Sequence, residues 1–305
     1  MAKRKNNGQR TREKELTQAL MGTLSMVANE QIVLLKLEPF FSPKPAKLDD
    51  SCDVKTLDRQ IAELTEMLGG PPRLIVRKIG DDSKEPADYY PVAALNEVIN
   101  MFHRVRRSVC RTHMVYIGAT LLREEPELLA PTKEFTSSLL EVVNGSFWEY
   151  AETAYIRLAS YWDRVGQLLD FAFFGIRQFE RDGFSAVIDR IAGNYAPRYQ
   201  QVRDSQAWKS LRSFQSSEAF DGSKWLLRRR NLVVHSVYLR PLTEPENSTL
   251  FEFEFNHLDE KLRKKLCPGT EADEIERLSG QLRQAANLFP GVLELCKLAA
   301  SIRTQ

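Results

Sequence analysis

The stretch SFWEYAETAYIRLASYWDRVGQLLDFAFFGI, residues 146–176, decides the fold class. Phe147, Tyr150, Ala154, Ile156, Leu158, Tyr161, Trp162, Val165, Leu168, Leu169 and Phe173 recur in it at helical intervals. Apolar residues three and four apart share one side of an α-helix, and no proline interrupts the backbone hydrogen bonds. Because apolar groups also spill beyond one stripe, the helix is expected at the centre of a bundle rather than on a surface.

Working outward, Phe135, Leu139, Leu140 and Val143 carry the same pattern toward the N-terminus. On the other side, Phe184–Ile191 and Arg198–Phe214 read as helix, broken near Gly193 and Pro197, and Ser213–Ser217 with Gly222 reads as a loop. Leu258–Leu266 and Glu271–Ile302 close the chain helically. Between these, Val237, Leu239, Leu242, Leu250, Phe251, Phe253 and Phe255 alternate with polar residues, which predicts a small β-hairpin turning at Pro245-Glu246-Asn247.

The N-terminal third is less uniform. Residues 1–15 are basic and read as a disordered tail suited to RNA phosphates or simply to solvent. Leu16–Leu37 and Lys55–Leu68 read as amphipathic helices, separated by Pro39, Pro43 and Pro45 and followed by Gly69-Gly70-Pro71-Pro72. Leu74–Ile79 fits a short strand and Gly80–Asp88 a surface loop. Pro91 suits the first turn of a further helix, which carries His103, Arg104, Arg106, Arg107, Arg111 and His113. Without an acidic partner or a glycine loop, that cluster reads as a solvated face or a phosphate-contact surface before it reads as a catalytic centre. Met114–Leu122 fits helix or buried strand equally. The organisation is thus a tail at 1–15, a helical extension at 16–130 and a helical bundle at 131–305: a mainly α chain with one hairpin.

With 305 residues, 43% hydrophobic and 28% charged, the chain can bury a sizeable core. Its formal charge of +2 means that any RNA contact must come from local patches. No run of eighteen apolar residues and no signal-peptide core is present, so a cytoplasmic protein without a membrane role is expected. Cys52, Cys110, Cys267 and Cys296 are too scattered for a zinc site, and reduced thiols are expected. No cofactor or metal is expected.

One segment has the composition of a site: KWLLRRRNLVVHSVYLR, residues 224–240. His235 can exchange protons near neutrality, and the arginines offer planar forks suited to phosphate oxygens. Arg230 and His235 are five residues apart, about 140° around a helix, which a long arginine can partly close. Asp163 and Arg164 lie in the apolar helix, where unpaired charge is costly. They therefore either pair with neighbouring groups or line a groove with the Arg230–His235 segment.

Arg230-Asn231-Leu232-Val233-Val234-His235 resembles the R-x(4–6)-H motif of the HEPN superfamily, in which a polar residue commonly follows the arginine, as Asn231 does. Tyr161-Trp162-Asp163-Arg164-Val165-Gly166 resembles the signature of one prokaryotic stand-alone branch of it. The resemblance covers roughly residues 135–300. It implies an antiparallel HEPN-like helical bundle and metal-independent endoribonuclease chemistry. In that chemistry His235 is general base or acid, Arg230 stabilises the transition state, Asn231 holds phosphate or histidine, and Asp163 orients the site. It further implies RNA as substrate, a homodimer with both motifs facing across a two-fold axis, and a toxin or antiviral defence role in which a cognate antitoxin or regulatory protein restrains the activity. A non-catalytic RNA- or protein-binding module is the alternative. Arg228 and Arg229 satisfy the spacing as well as Arg230, which Asn231 favours. A hairpin after His235 departs from the simplest bundle of this kind.

Overall fold

The computed structural model describes residues 90–126, 133–174, 183–235 and 269–303, together with helical positions between 12 and 24. Among these the fold is mainly α: 90% of the residues are helical and none is in a strand. The expected hairpin, Leu258–Leu266, Lys55–Leu68, the strand at Leu74–Ile79, the loop at Gly80–Asp88 and most of the basic tail lie outside the described residues. Of the Leu16–Leu37 helix, residues 16–22 are described as helical, with Leu16, Leu20 and Met21 exposed.

After the helical positions near the N-terminus, seven helices follow one another among the described residues: α1 (Tyr90–Glu124), α2 (Lys133–Phe174), α3 (Phe184–Asn194), α4 (Gln200–Asp204), α5 (Gln206–Ser216), α6 (Ser223–His235) and α7 (Glu271–Arg303). The 42-residue α2 includes the stretch that decides the fold and starts earlier than its densest apolar run. The ambiguous segment Met114–Leu122 is the last part of α1, a continuous helix of 35 residues. Its period explains this: Leu95, Val98, Phe102, Val105, Val109, Thr112, Tyr116 and Ala119 alternate steps of three and four. On α2, Phe147, Ala151, Ala154, Leu158, Tyr161, Val165, Leu168 and Ala172 do the same. Two such seams fit each other by knobs-into-holes packing. Phe102 meets Tyr161 and Tyr116 meets Phe147, so the two helices run antiparallel.

The remaining helices wrap α2. α3 and α6 pack on its other flank, and α7 lies across α2, α5 and α1. Ser205 caps α5 by accepting from Trp208 N–H at 3.1 Å, and Thr270 with Asp273 forms a reciprocal capping box at the start of α7. Helix α5 runs to Ser216, so the loop expected at Ser213–Ser217 is corrected: Phe214 and Gln215 are buried, and Phe214 stacks in the core against Trp162. The hydrophobic side of α5 outweighs the serines that suggested a turn. α7 is long and apolar enough in composition to cross a membrane. Its Leu278, Leu282, Ala285, Val292, Leu295, Cys296 and Ala299 instead belong to the core. At Pro290 this helix loses a backbone donor, and next to it Gly291 lies against Ala207 of α5.

Candidate functional site

The Tyr161–Gly166 signature is a helix junction. Tyr161 Oη donates to the Ala285 carbonyl of α7 at 3.2 Å, and Trp162 sits between Phe184 and Phe214, with ring centroids 4.9 and 4.2 Å away. A Cβ at position 166 would fall 2.8 Å from Phe184 Cα, so only glycine lets the start of α3 rest on α2 at this point. That contact brings the Phe184 N–H to the carboxylate of Asp163. The residue before α3, Gly183, has no side chain to cap the helix, and Asp163 serves as the cap from the neighbouring helix.

The three consecutive arginines of α6 have three fates. Arg228 forms an exposed ion pair with Glu218 at 3.3 Å. Arg229 points inward with 0% exposure and donates from Nη2 to Glu274 Oε1 at 2.8 Å. Its guanidinium carbon lies 5.4 Å from the Tyr155 ring centre and 5.8 Å from that of Trp225. Glu274 also accepts from Tyr155 Oη at 2.6 Å, from the Gly269 N–H at 3.1 Å and from Arg277. Burial pushes the Glu274 carboxyl up, but Arg229, the Tyr155 hydroxyl, Arg277 and the Gly269 N–H together hold it below its ordinary value. The Tyr155 hydroxyl is driven well above its own, first by burial and then by the Glu274 charge.

Arg230 is half-buried at the rim and donates to Asn231 Oδ1 at 3.0 Å. Its charge reaches Asp163. The Asp163 carboxyl is pushed up by burial, against the opposing pull of the Phe184 N–H, Arg230 and Arg164. Although the residue as a whole is exposed, its carboxylate end turns toward the protein at the edge of a cleft of about 230 Å³ lined by Trp162, Phe184, Ser223, Leu226 and Leu227. Arg164 donates to Gln167 at 2.8 Å. Arg164 thus pairs with a neighbour on its own helix, whereas the carboxylate of Asp163 feels the charge of Arg230.

The structure thus brings Asp163, Arg230 and the exposed Asn231 to one edge between α2 and α6, and the backbone of His235 closes α6 one turn beyond Asn231. Chemically this edge presents a guanidinium, an amide and a carboxylate of raised proton affinity beside an apolar hollow. A larger cleft of about 580 Å³ opens elsewhere, between α5 and α7, and includes Lys209, Ser213, Asp221 and Gln284 but none of these residues. Sequence reasoning missed Glu274 and Tyr155, the partners that fix Arg229. The one local signal was the acidic first turn of α7, which a helix dipole explains equally well. No protein-family model, no curated protein sequence and no solved structure matches the chain.

Proposed function

We propose that the protein is a metal-independent endoribonuclease of HEPN type, acting as a toxin or defence effector. The observation that carries this reading is that the charge of Arg230 on α6 acts on the Asp163 carboxylate of α2, with Asn231 exposed beside Arg230. These residues come from the two segments whose resemblance suggested the family. In this reading His235 takes the proton of a ribose 2′-OH, which attacks the adjacent phosphate, and returns a proton to the departing 5′-oxygen, leaving a 2′,3′-cyclic phosphate. Arg230 balances the charge gathering on the phosphorane-like transition state, and Asn231 holds a phosphate oxygen or the imidazole. A carboxylate near the imidazole favours its charged form, which is the role given to Asp163. Two protomers place their motifs across a two-fold axis to form one cleft, and an antitoxin or regulatory protein restrains the activity.

The test is incubation of total RNA with the purified full chain in excess EDTA, beside His235→Ala and Arg230→Ala. The reading requires cutting by the wild type and a loss on the order of 10²- to 10⁴-fold in His235→Ala. Intact RNA in every lane sinks it. A second reading, a non-catalytic RNA- or protein-binding module, draws on Leu227 and Val234, which remain exposed along α6 on either side of Asn231. Such a module would be indifferent to His235→Ala and sensitive to the arginines and to salt.

A further inference from the structure

Helix α1 carries Arg104, Arg107 and Arg111, spaced three and four residues apart, on one strip about 10 Å long. From α2, Arg157 reaches into the middle of this strip and donates to Ser108 Oγ. The Ser108 hydroxyl is itself fixed, donating to the Arg104 carbonyl at 3.1 Å, and the residue is buried. Arg157 is therefore pinned one helical turn from Arg104 and Arg111. Burial and the like charges of Arg111, Arg104 and Arg107 all hold its guanidinium below the ordinary arginine value. No acidic residue occurs between positions 103 and 113.

Gathering like charges on adjacent helix turns costs stability unless a counter-charge offsets it. Arg104 and Arg107 keep their side chains in solvent, with forks that suit paired phosphate oxygens. We propose that Arg104, Arg107, Arg111 and Arg157 form a binding site for contiguous phosphate groups, the chemistry shared by a nucleic-acid backbone and a linear polyphosphate. The site is distinct from the α2–α6 edge: Arg157 precedes Asp163 by six residues, about 9 Å along α2 and about 120° around it. It does not depend on nuclease activity.

The experiment is fluorescence anisotropy of the full chain with a labelled 2′-O-methyl uridine 12-mer, which cannot form a cyclic phosphate, titrated across salt and competed with sodium tripolyphosphate. The wild type is expected to bind with a log K versus log salt slope of about −3, from four phosphate contacts at ~0.7 each. The double variant Arg104→Gln/Arg107→Gln weakens binding at least tenfold and roughly halves the slope, while its Tm stays level or rises because two exposed like charges are gone. Displacement by less tripolyphosphate than unlabelled 12-mer, counted per phosphate, identifies a polyphosphate ligand, and the reverse order identifies a nucleic-acid backbone. Failure of the wild type to bind either probe, or wild-type affinity and slope in the double variant, overturns the proposal.

Discussion

Arg229 Nη2 lies 2.8 Å from Glu274 Oε1 with neither side chain exposed, so the two ends of a 45-residue separation are joined by a fully buried ion pair. This pair fixes the rotation of α6 about its own axis. With Arg229 turned inward, Arg228 and Arg230 are carried about 100° to either side, one to its surface pair with Glu218 and one to the edge beside Asp163. The chemistry proposed for Arg230 thus rests on the neighbour that has none.

Removing one partner leaves a buried charge uncompensated. Glu274→Ala and Arg229→Met are each expected to cost about 3–5 kcal/mol in urea unfolding. Arg229→Met/Glu274→Leu removes both charges, and its loss should fall well short of the sum of the single variants. Additive losses would mean that the pair contributes no coupling.

The same pair predicts acid sensitivity. The Glu274 carboxyl is held below its ordinary 4.5, so its contribution is fully present above that value and is lost as pH falls through the lower folded value. Stability measured from pH 6 to pH 3 should drop more steeply in the wild type than in Glu274→Gln. Parallel curves would remove Glu274 from the account.

Asp163 has the opposite sign. Its carboxyl is pushed above 3.8 by burial, so the stability associated with it is greatest below that value and is lost as pH rises through the folded one. Asp163→Asn keeps an acceptor for the Phe184 N–H and should be at least as stable as the wild type at pH 7. Asp163→Ala uncaps α3 and should lose about 1 kcal/mol. Thermal unfolding at pH 7 checks both, and equal stability of the Asn and Ala variants would contradict the capping role.

Two helical glycines give a matched test of the junction. At Gly166 a Cβ would sit 2.8 Å from Phe184 Cα, whereas at Gly118 it meets nothing within 4 Å. Gly166→Ala should destabilise by about 1–3 kcal/mol through overpacking. Gly118→Ala should stabilise by up to about 1 kcal/mol, the ordinary gain for a helix interior. Similar Tm shifts in both would refute the close approach.

The long helices were legible in the sequence because their information is local. The unbroken run through Tyr161 and Trp162 and the broken one near Gly193 and Pro197 both map onto elements of the structure. Phe214 was harder to place, since serines around it suggested a turn and only its packing on Trp162 says otherwise. The edge of the site was legible in part. Asp163 was marked as a costly charge and Arg230 as the motif arginine, but which of three arginines turns inward depends on Glu274 and Tyr155, two contacts far away in sequence. Helical phase with Trp225, Leu226 and Leu232 puts Arg229 on the buried stripe, but an arginine is costly there without a counter-charge, and that counter-charge comes from a helix distant in sequence.

The antiparallel seam of α1 and α2 joins neighbours in the chain, so it can form while later residues are still being synthesised. α6 is made after α3, α4 and α5, and at that moment Arg229 has an aromatic bed in Tyr155 and Trp225 but no Glu274. Glu274 comes only with the last helix. A nascent chain therefore cannot lock α6, or fix the outward face of Arg230, until about nine-tenths of it has been translated. A message truncated before codon 274 would yield a chain that lacks the lock.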